Sequence, residues 1–153
     1  MDEKDERIIR ILERRSELSS RALSGMLDIP ISTVHRRIKR LEGDGVIRGY
    51  KALIDYEKTG RPIGALLLID LAEVIPGKGH IPKKDIVTAL KKFDEVEEIV
   101  AVEAATFDLV VRARLPNLRR LAEFVEELRY IEGIEETTSA IITEETTVPP
   151  RGY

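Results

Sequence analysis

The chain has 153 residues, 42% hydrophobic and 35% charged, which suits one compact domain or two small ones and excludes a disordered tail protein. With no cysteine, and with His35 and His80 as its two histidines, it lacks the raw material for disulfides, thiolate metal sites or histidine-centred triads, and no cofactor is expected. No apolar run approaches the ~18 to 20 residues of a membrane span, and the charged start MDEKDERIIR shows no signal-peptide segment, so the expected compartment is the cytoplasm. Asn117 is the one amide side chain, glutamine is absent, and Glu, Lys and Arg are abundant. That bias points to a thermophile, where amides are labile and charge networks cost less desolvation.

The net charge of −3 hides an asymmetry. Residues 1–60 carry 13 Lys and Arg against 11 Asp and Glu, a net of +2, while residues 61–153 carry 12 against 17, a net of −5. The positives concentrate between His35 and Lys51, where only Glu42 and Asp44 oppose them. A basic segment on an acidic body suggests a polyanion-binding end. Helical periodicity stops at Thr59-Gly60-Arg61-Pro62, so the expected domains are 1–60 and 61–148, with 149–153 a loose tail.

In chain order, a first helix capped by Asp5 buries Ile8, Ile11 and Leu12 and ends between Arg14 and Glu17. A second follows the Ser19 cap and presents Ala22, Leu23, Met26 and Leu27; Asp28 tolerates the left-handed turn after it. A third runs from Ser32 to Asp44 with Val34, Ile38 and Leu41 as its inward stripe. At 100° per residue that stripe leaves Ser32, Arg36, Lys39 and Arg40 on the far side, flanked by Thr33, His35 and Arg37. Followed by a small hairpin over Gly45–Tyr50, this is a winged helix-turn-helix pattern, whose third helix fits a DNA major groove. Arg37, Arg40, Arg48 and Lys51 would then hold phosphates, while Ser32, Thr33, His35 and Arg36 approach bases. The plainer reading is a trihelical protein-contact module with a solvated third helix.

The stretches DERIIRIL (Asp5–Leu12), STVHRRIKRL (Ser32–Leu41) and GVIRGYKAL (Gly45–Leu53) resemble the Lrp/AsnC, or feast/famine, family of transcriptional regulators over nearly the whole chain. Pro30 stands where that family usually places a serine cap, and Asp28 where it usually has glycine.

Beyond the hinge, strands are expected over Ala65–Val74, Val96–Glu103, Phe107–Leu115 and Glu135–Thr146. One helix between them buries Ile86, Ala89, Leu90 and Phe93; another, capped by Asn117, buries Leu118, Leu121, Ala122, Val125 and Leu128. The order βαββαβ is the ferredoxin-like unit, so the fold class is α+β: a winged helix-turn-helix joined to a βαββαβ domain, which the resemblance to Lrp/AsnC implies is of the kind that regulates amino-acid metabolism (RAM-type). Its helices cover one sheet face, and the open face calls for a second subunit.

The resemblance implies a homo-oligomeric DNA-binding regulator, dimers assembling to octamers or similar rings, with double-stranded DNA and an amino-acid-type effector as partners. The family's G-x-[YF]-D turn corresponds to Ala105-Thr106-Phe107-Asp108, alanine replacing glycine. Asp108 would accept an effector's ammonium, or alternatively cap the turn; Thr137 and Ser139 would offer hydroxyls, or alternatively lie as ordinary strand residues. Two other functions share this architecture: a sirohaem-decarboxylase-like enzyme, for which Arg112 and Arg114 could hold carboxylates, and an architectural protein of low sequence specificity.

Overall fold

The computed structural model describes residues 1–146, and the expected loose tail at 149–153 lies outside them. Two units divide between Ile54 and Asp55, five residues before the expected hinge at Gly60. The reason is local. A 3-10 turn, Tyr56–Lys58, lays the Tyr56 ring 4.1 Å beneath the Arg114 guanidinium and so belongs to the second unit.

The first unit holds α1 (Glu3–Leu12), α2 (Ser20–Leu27) and α3 (Ile31–Gly43). Asp2, rather than Asp5, caps α1: the Asp5 N–H donates to Asp2 Oδ1 and the Asp2 N–H to Asp5 Oδ2, each at 3.0 Å, a reciprocal capping box. Ser19 caps α2 by accepting from the Ala22 N–H, and Asp28 takes the left-handed turn at φ 53°. The third helix starts at Ile31, one residue earlier than expected. Pro30 cannot cap through a side chain, but its carbonyl accepts from the Thr33 and Val34 N–H groups at 2.9 and 3.0 Å. Ile8, Ile11, Leu12, Leu23, Leu27, Ile29, Val34 and Leu41 form the core, with Ile38 and Ile47 packed partly against it.

The expected hairpin over Gly45–Tyr50 forms no paired strands among the described residues. The Val46 and Ile47 N–H groups both donate to the Leu41 carbonyl, at 2.9 and 3.0 Å, and the Tyr50 hydroxyl donates to Glu42 at 3.0 Å. With two of its first donors consumed by the helix end and no third strand beside it, this short segment packs along α3 instead of building a ladder.

The second unit contains β1 (Ile63–Leu71), α4 (Lys83–Leu90), β2 (Val96–Ala101), β3 (Leu109–Leu115), α5 (Leu118–Arg129) and β4 (Ile134–Ile141). All strand pairs are antiparallel in the order β2-β3-β1-β4, the ferredoxin-like arrangement, with β1 and β3 central as their apolar sequences require. Strand parity assigns the faces. Ala65, Leu67 and Ile69 of β1 and Leu109, Val111, Ala113 and Leu115 of β3 are buried with Ile86, Leu90, Leu121, Phe124 and Leu128 of the helices.

One helix detail differs from expectation. On α5 the buried residues are Leu121, Phe124 and Leu128, with Val125 partly covered; Leu118 and Ala122 face outward. Phe124 meets the Phe93 ring edge-on, centroids 5.2 Å apart. Gly133 leads into β4 at φ 96°, which favours glycine, and a Cβ there would also press on Ile86 Cδ1 at 2.6 Å.

The open face presents Leu66, Leu68 and Asp70, Val110, Arg112 and Arg114, Glu98 and Val100, and Glu136, Thr138 and Ala140, as the strand registers dictate. Arg114 is nevertheless 4% exposed. Glu145 accepts from its Nη2 at 2.5 Å, Glu97 from its Nε at 3.4 Å, and Gly64 leaves it room: a Cβ there would lie 2.7 Å from Nη1.

Candidate nucleic-acid interface and effector site

With Val34 at 0% and Leu41 at 2% exposure, the inward stripe of α3 is sealed and its opposite flank is set. Ser32, His35, Arg36, Lys39 and Arg40 are exposed and Thr33 is half-buried. Arg36 has no ion-pair partner among the described residues, nor do Arg48 and Lys51, both exposed just beyond the helix. Lys39 pairs with Glu42 at 2.9 Å, a surface contact of small worth that phosphate can displace. The Lys39 hydrogen bond, joined by that from Tyr50, holds the Glu42 carboxyl below its usual range.

Arg40 keeps its expected exposed place, whereas Arg37 is half-buried. Both turn toward the N-terminus of α1, whose Asp5 side chain is 0% exposed. Arg37 Nη1 donates to Asp5 Oδ1 at 2.7 Å and to both oxygens of Asp2, at 2.7 and 2.8 Å. Nη1 of Arg37 is therefore engaged inside the unit, with 14% of the side chain exposed, and the residue braces α1 against α3. Arg40 Nη2 donates to Asp5 Oδ2 at 2.5 Å while the rest of the side chain remains open.

This brace depends on pH. Hydrogen bonds from Arg37 and from the Asp5 N–H hold the Asp2 carboxyl down at about 2. Burial alone would raise Asp5, but the Asp2 N–H, Arg37 and Arg40 outweigh it and keep that carboxyl low as well. Since the unfolded chain takes up protons near 3.8 that the folded one refuses until about 2, the contribution to stability is complete above that window and is lost as pH falls through it. Denaturant unfolding followed by helical circular dichroism at stepped pH should show the midpoint dropping between about pH 4 and 2, with a shallower drop in Arg37→Gln. Equal slopes in the two proteins would mean that Arg37 does not brace the helices.

Two features here are not visible in the sequence pattern. Arg21, in the first turn of α2, is exposed without an ion-pair partner among the described residues, on the helix that crosses the backbone in helix-turn-helix docking. Asp5 reads as a local cap because its long-range partners are 32 and 35 residues away.

In the second unit, Asp108 Oδ2 accepts the Leu71 N–H at 3.0 Å, where the β1–β4 register slips, so its carboxylate serves the strand end. Thr106 and Phe107 join Leu68, Asp70, Glu136 and Thr138 around a depression of about 240 Å³ at the end of the open face. Ala105 is exposed beside them. Thr137 and Ser139 are not brought there: paired with Ile69 and Leu67, they project to the helix-covered side, and Thr137 Oγ1 is buried without a partner among the described residues. Neighbouring Glu136 and Thr138 take their place. Arg112 and Arg114, candidates for holding a substrate's carboxylates, already hold Glu145, with Glu97 beside Arg114.

Comparison with known proteins agrees with this geometry. The winged helix-turn-helix DNA-binding family matches residues 1–48, and the Lrp/AsnC ligand binding domain matches residues 78–150. An uncharacterized HTH-type transcriptional regulator of Pyrococcus horikoshii, PH0140, is 34% identical over 144 residues, spanning 94% of this chain and 86% of its own. The HTH-type transcriptional regulator FL11 of Pyrococcus furiosus is 33% identical over 142 residues, covering 93% of this chain and 89% of its own. Among solved structures, the leucine response regulatory protein LrpA of Mycobacterium tuberculosis superposes with a TM-score of 0.81 at 27% identity, over 100% of this chain and 99% of that one. No helix among the described residues is long and apolar enough to cross a membrane. With a sealed trihelical unit that carries a cationic outer flank, a βαββαβ sheet unit and these matches, the chain belongs to the Lrp/AsnC family of DNA-binding transcriptional regulators.

Proposed function

We propose that the outward flank of α3 reads the major groove, with Arg36 and the helix-start residues Ser32, Thr33 and His35 at base edges and Lys39, Arg48 and Lys51 on phosphates. The observation that carries this is the exposed Arg36, without an ion-pair partner among the described residues, opposite a fully buried Val34. Arginine at guanine is the commonest base-specific contact, whereas lysine on phosphate adds affinity without sequence information. Arg36→Ala should therefore cost about 1–3 kcal/mol at the preferred site and little on random duplex. Lys51→Ala should weaken both duplexes alike and reduce the log–log salt slope by about 0.9 for each phosphate that is no longer neutralised. Binding curves on the two duplexes across a salt series separate these outcomes; wild-type behaviour from both variants would remove α3 as the reader.

The open face of the sheet, with Leu66, Leu68 and Val110 half-buried and Val100 and Ala140 exposed, supports a dimer-based assembly. Two copies would supply two recognition helices and hence a roughly palindromic site. The depression by Thr106 and Phe107 supports contact with a small effector. Its carboxylates, Asp70 and Glu136, suit an ammonium group, in keeping with an amino-acid-type ligand. Regulation rather than catalysis is the reading the site favours, because the arginines that a decarboxylase-like site would use are neutralised by Glu97 and Glu145. A panel of free amino acids, added during selection of bound DNA fragments by the purified protein, tests the effector part: a change in affinity or footprint with one ligand supports it, and identical selections throughout count against it.

A further inference from the structure

The paired arginines of α3 are treated unequally by α1. Arg37 is 14% exposed, its Nη1 is shared between Asp2 and Asp5, and its Nε is buried without a partner among the described residues. Arg40 meets the same Asp5 carboxylate through Nη2 alone and keeps 47% of its side chain open. A guanidinium carries five N–H donors in a planar fork, so one edge can rest on a carboxylate while another receives a second anion. Asp5 itself has no exposed surface, and its own position is locked by the capping box with Asp2.

We propose that Asp5 is a positioning residue for DNA binding: it grips Arg40 by one edge and presents the other edge to a backbone phosphate, while Arg37 braces the two helices. This rests on α3 being the DNA-facing helix. The gain is preorganisation, since a guanidinium already held in place loses less rotamer freedom when the phosphate arrives. The cluster of two aspartates and two arginines is neutral overall, so it adds little to long-range attraction. Its contribution is a directed contact.

Simple electrostatics makes the opposite forecast, and that makes the idea testable. Asp5→Asn removes a negative charge near the DNA and, with no positioning role, would tighten binding. The full-length protein is titrated onto its preferred duplex across a salt series, with the active fraction fixed by stoichiometric titration. Arg40→Gln should weaken binding by about tenfold, the loss of one hydrogen bond to a charged group, and should lower the salt slope by about 0.9 per subunit bound. Asp5→Asn should weaken binding three- to tenfold in the wild-type background, by about the same hydrogen-bond scale, and have no effect in Arg40→Gln. Arg37→Gln should leave the slope unchanged.

Tighter binding by Asp5→Asn, equal weakening in both backgrounds, or an unchanged slope in Arg40→Gln would each overturn the proposal. Should Asp5→Asn not fold, Asp5→Glu keeps the charge but displaces the carboxylate by a methylene; it must weaken binding only where Arg40 is present. Absence of duplex binding by the wild-type chain is a different failure, because it removes the DNA-facing reading of α3 itself.

Discussion

Phe124→Ala is expected to destabilise the sheet unit by about 3–5 kcal/mol, the usual cost of emptying a fully buried aromatic site. Phe124 is 0% exposed, lies between Leu121 and Leu128 on the covered face of α5 and packs in a T-shaped contact with Phe93. The backbone of a four-stranded sheet cannot collapse into a hole of that size, so the transfer cost and the cavity cost add. Phe93→Ala should cost less, because Phe93 is only half-buried and its loss opens the site to solvent rather than leaving a void. Urea unfolding of the two variants checks the ranking. A shift of less than about 1 kcal/mol for Phe124→Ala, well below the usual range for such a truncation, would mean that α5 is packed in another phase.

The second large effect is expected from Asp5→Ala. Removing one partner of a buried ion pair strands the other, which costs about 3–5 kcal/mol when the remaining charge cannot reach water. Arg40 can rehydrate through its open side, but Arg37, 14% exposed, loses a partner inside the unit and keeps only Asp2. The reciprocal cap on the Asp2 N–H disappears as well. The lower end of that range, about 3 kcal/mol, is therefore expected in denaturant unfolding of the helical signal. A change below about 1 kcal/mol, the scale of an exposed pair, would show that the brace is a surface contact and that its burial in the fold has no energetic consequence. Both changes are read as stability of the free protein, with no DNA present.

Whether a feature is legible in the sequence follows from whether its signal is local. Periodicities of 3.6 and 2 expose the three helices, the βαββαβ order and the buried face of β3, because each is a property of a single segment. Ser19, Asn117 and Asp28 are readable for the same reason: a cap or a left-handed turn involves only a few neighbouring residues. Asp5 passes for a cap because its arginine partners sit on another helix. Thr137 and Ser139 stand out in the sequence ahead of Glu136 and Thr138 because the exposed face of a polar edge strand is set by its register with β1, and a shift of one residue exchanges the faces. Phe124 is hidden when the α5 stripe is phased one residue off, on Ala122 and Val125. The expected hairpin fails for a related reason: a strand needs a partner, and residues 46–50, among the described residues, hydrogen-bond to the end of α3.

Guanine-N7 methylation interference with the full-length protein on its preferred duplex tests most directly whether α3 reads the major groove, since N7 is exposed only there. Methylation at specific guanines is expected to block wild-type binding, and the block at one of them to disappear in Arg36→Ala because nothing remains there to meet N7. Interference confined to adenine N3 in the minor groove, or an identical pattern from both proteins, would contradict it.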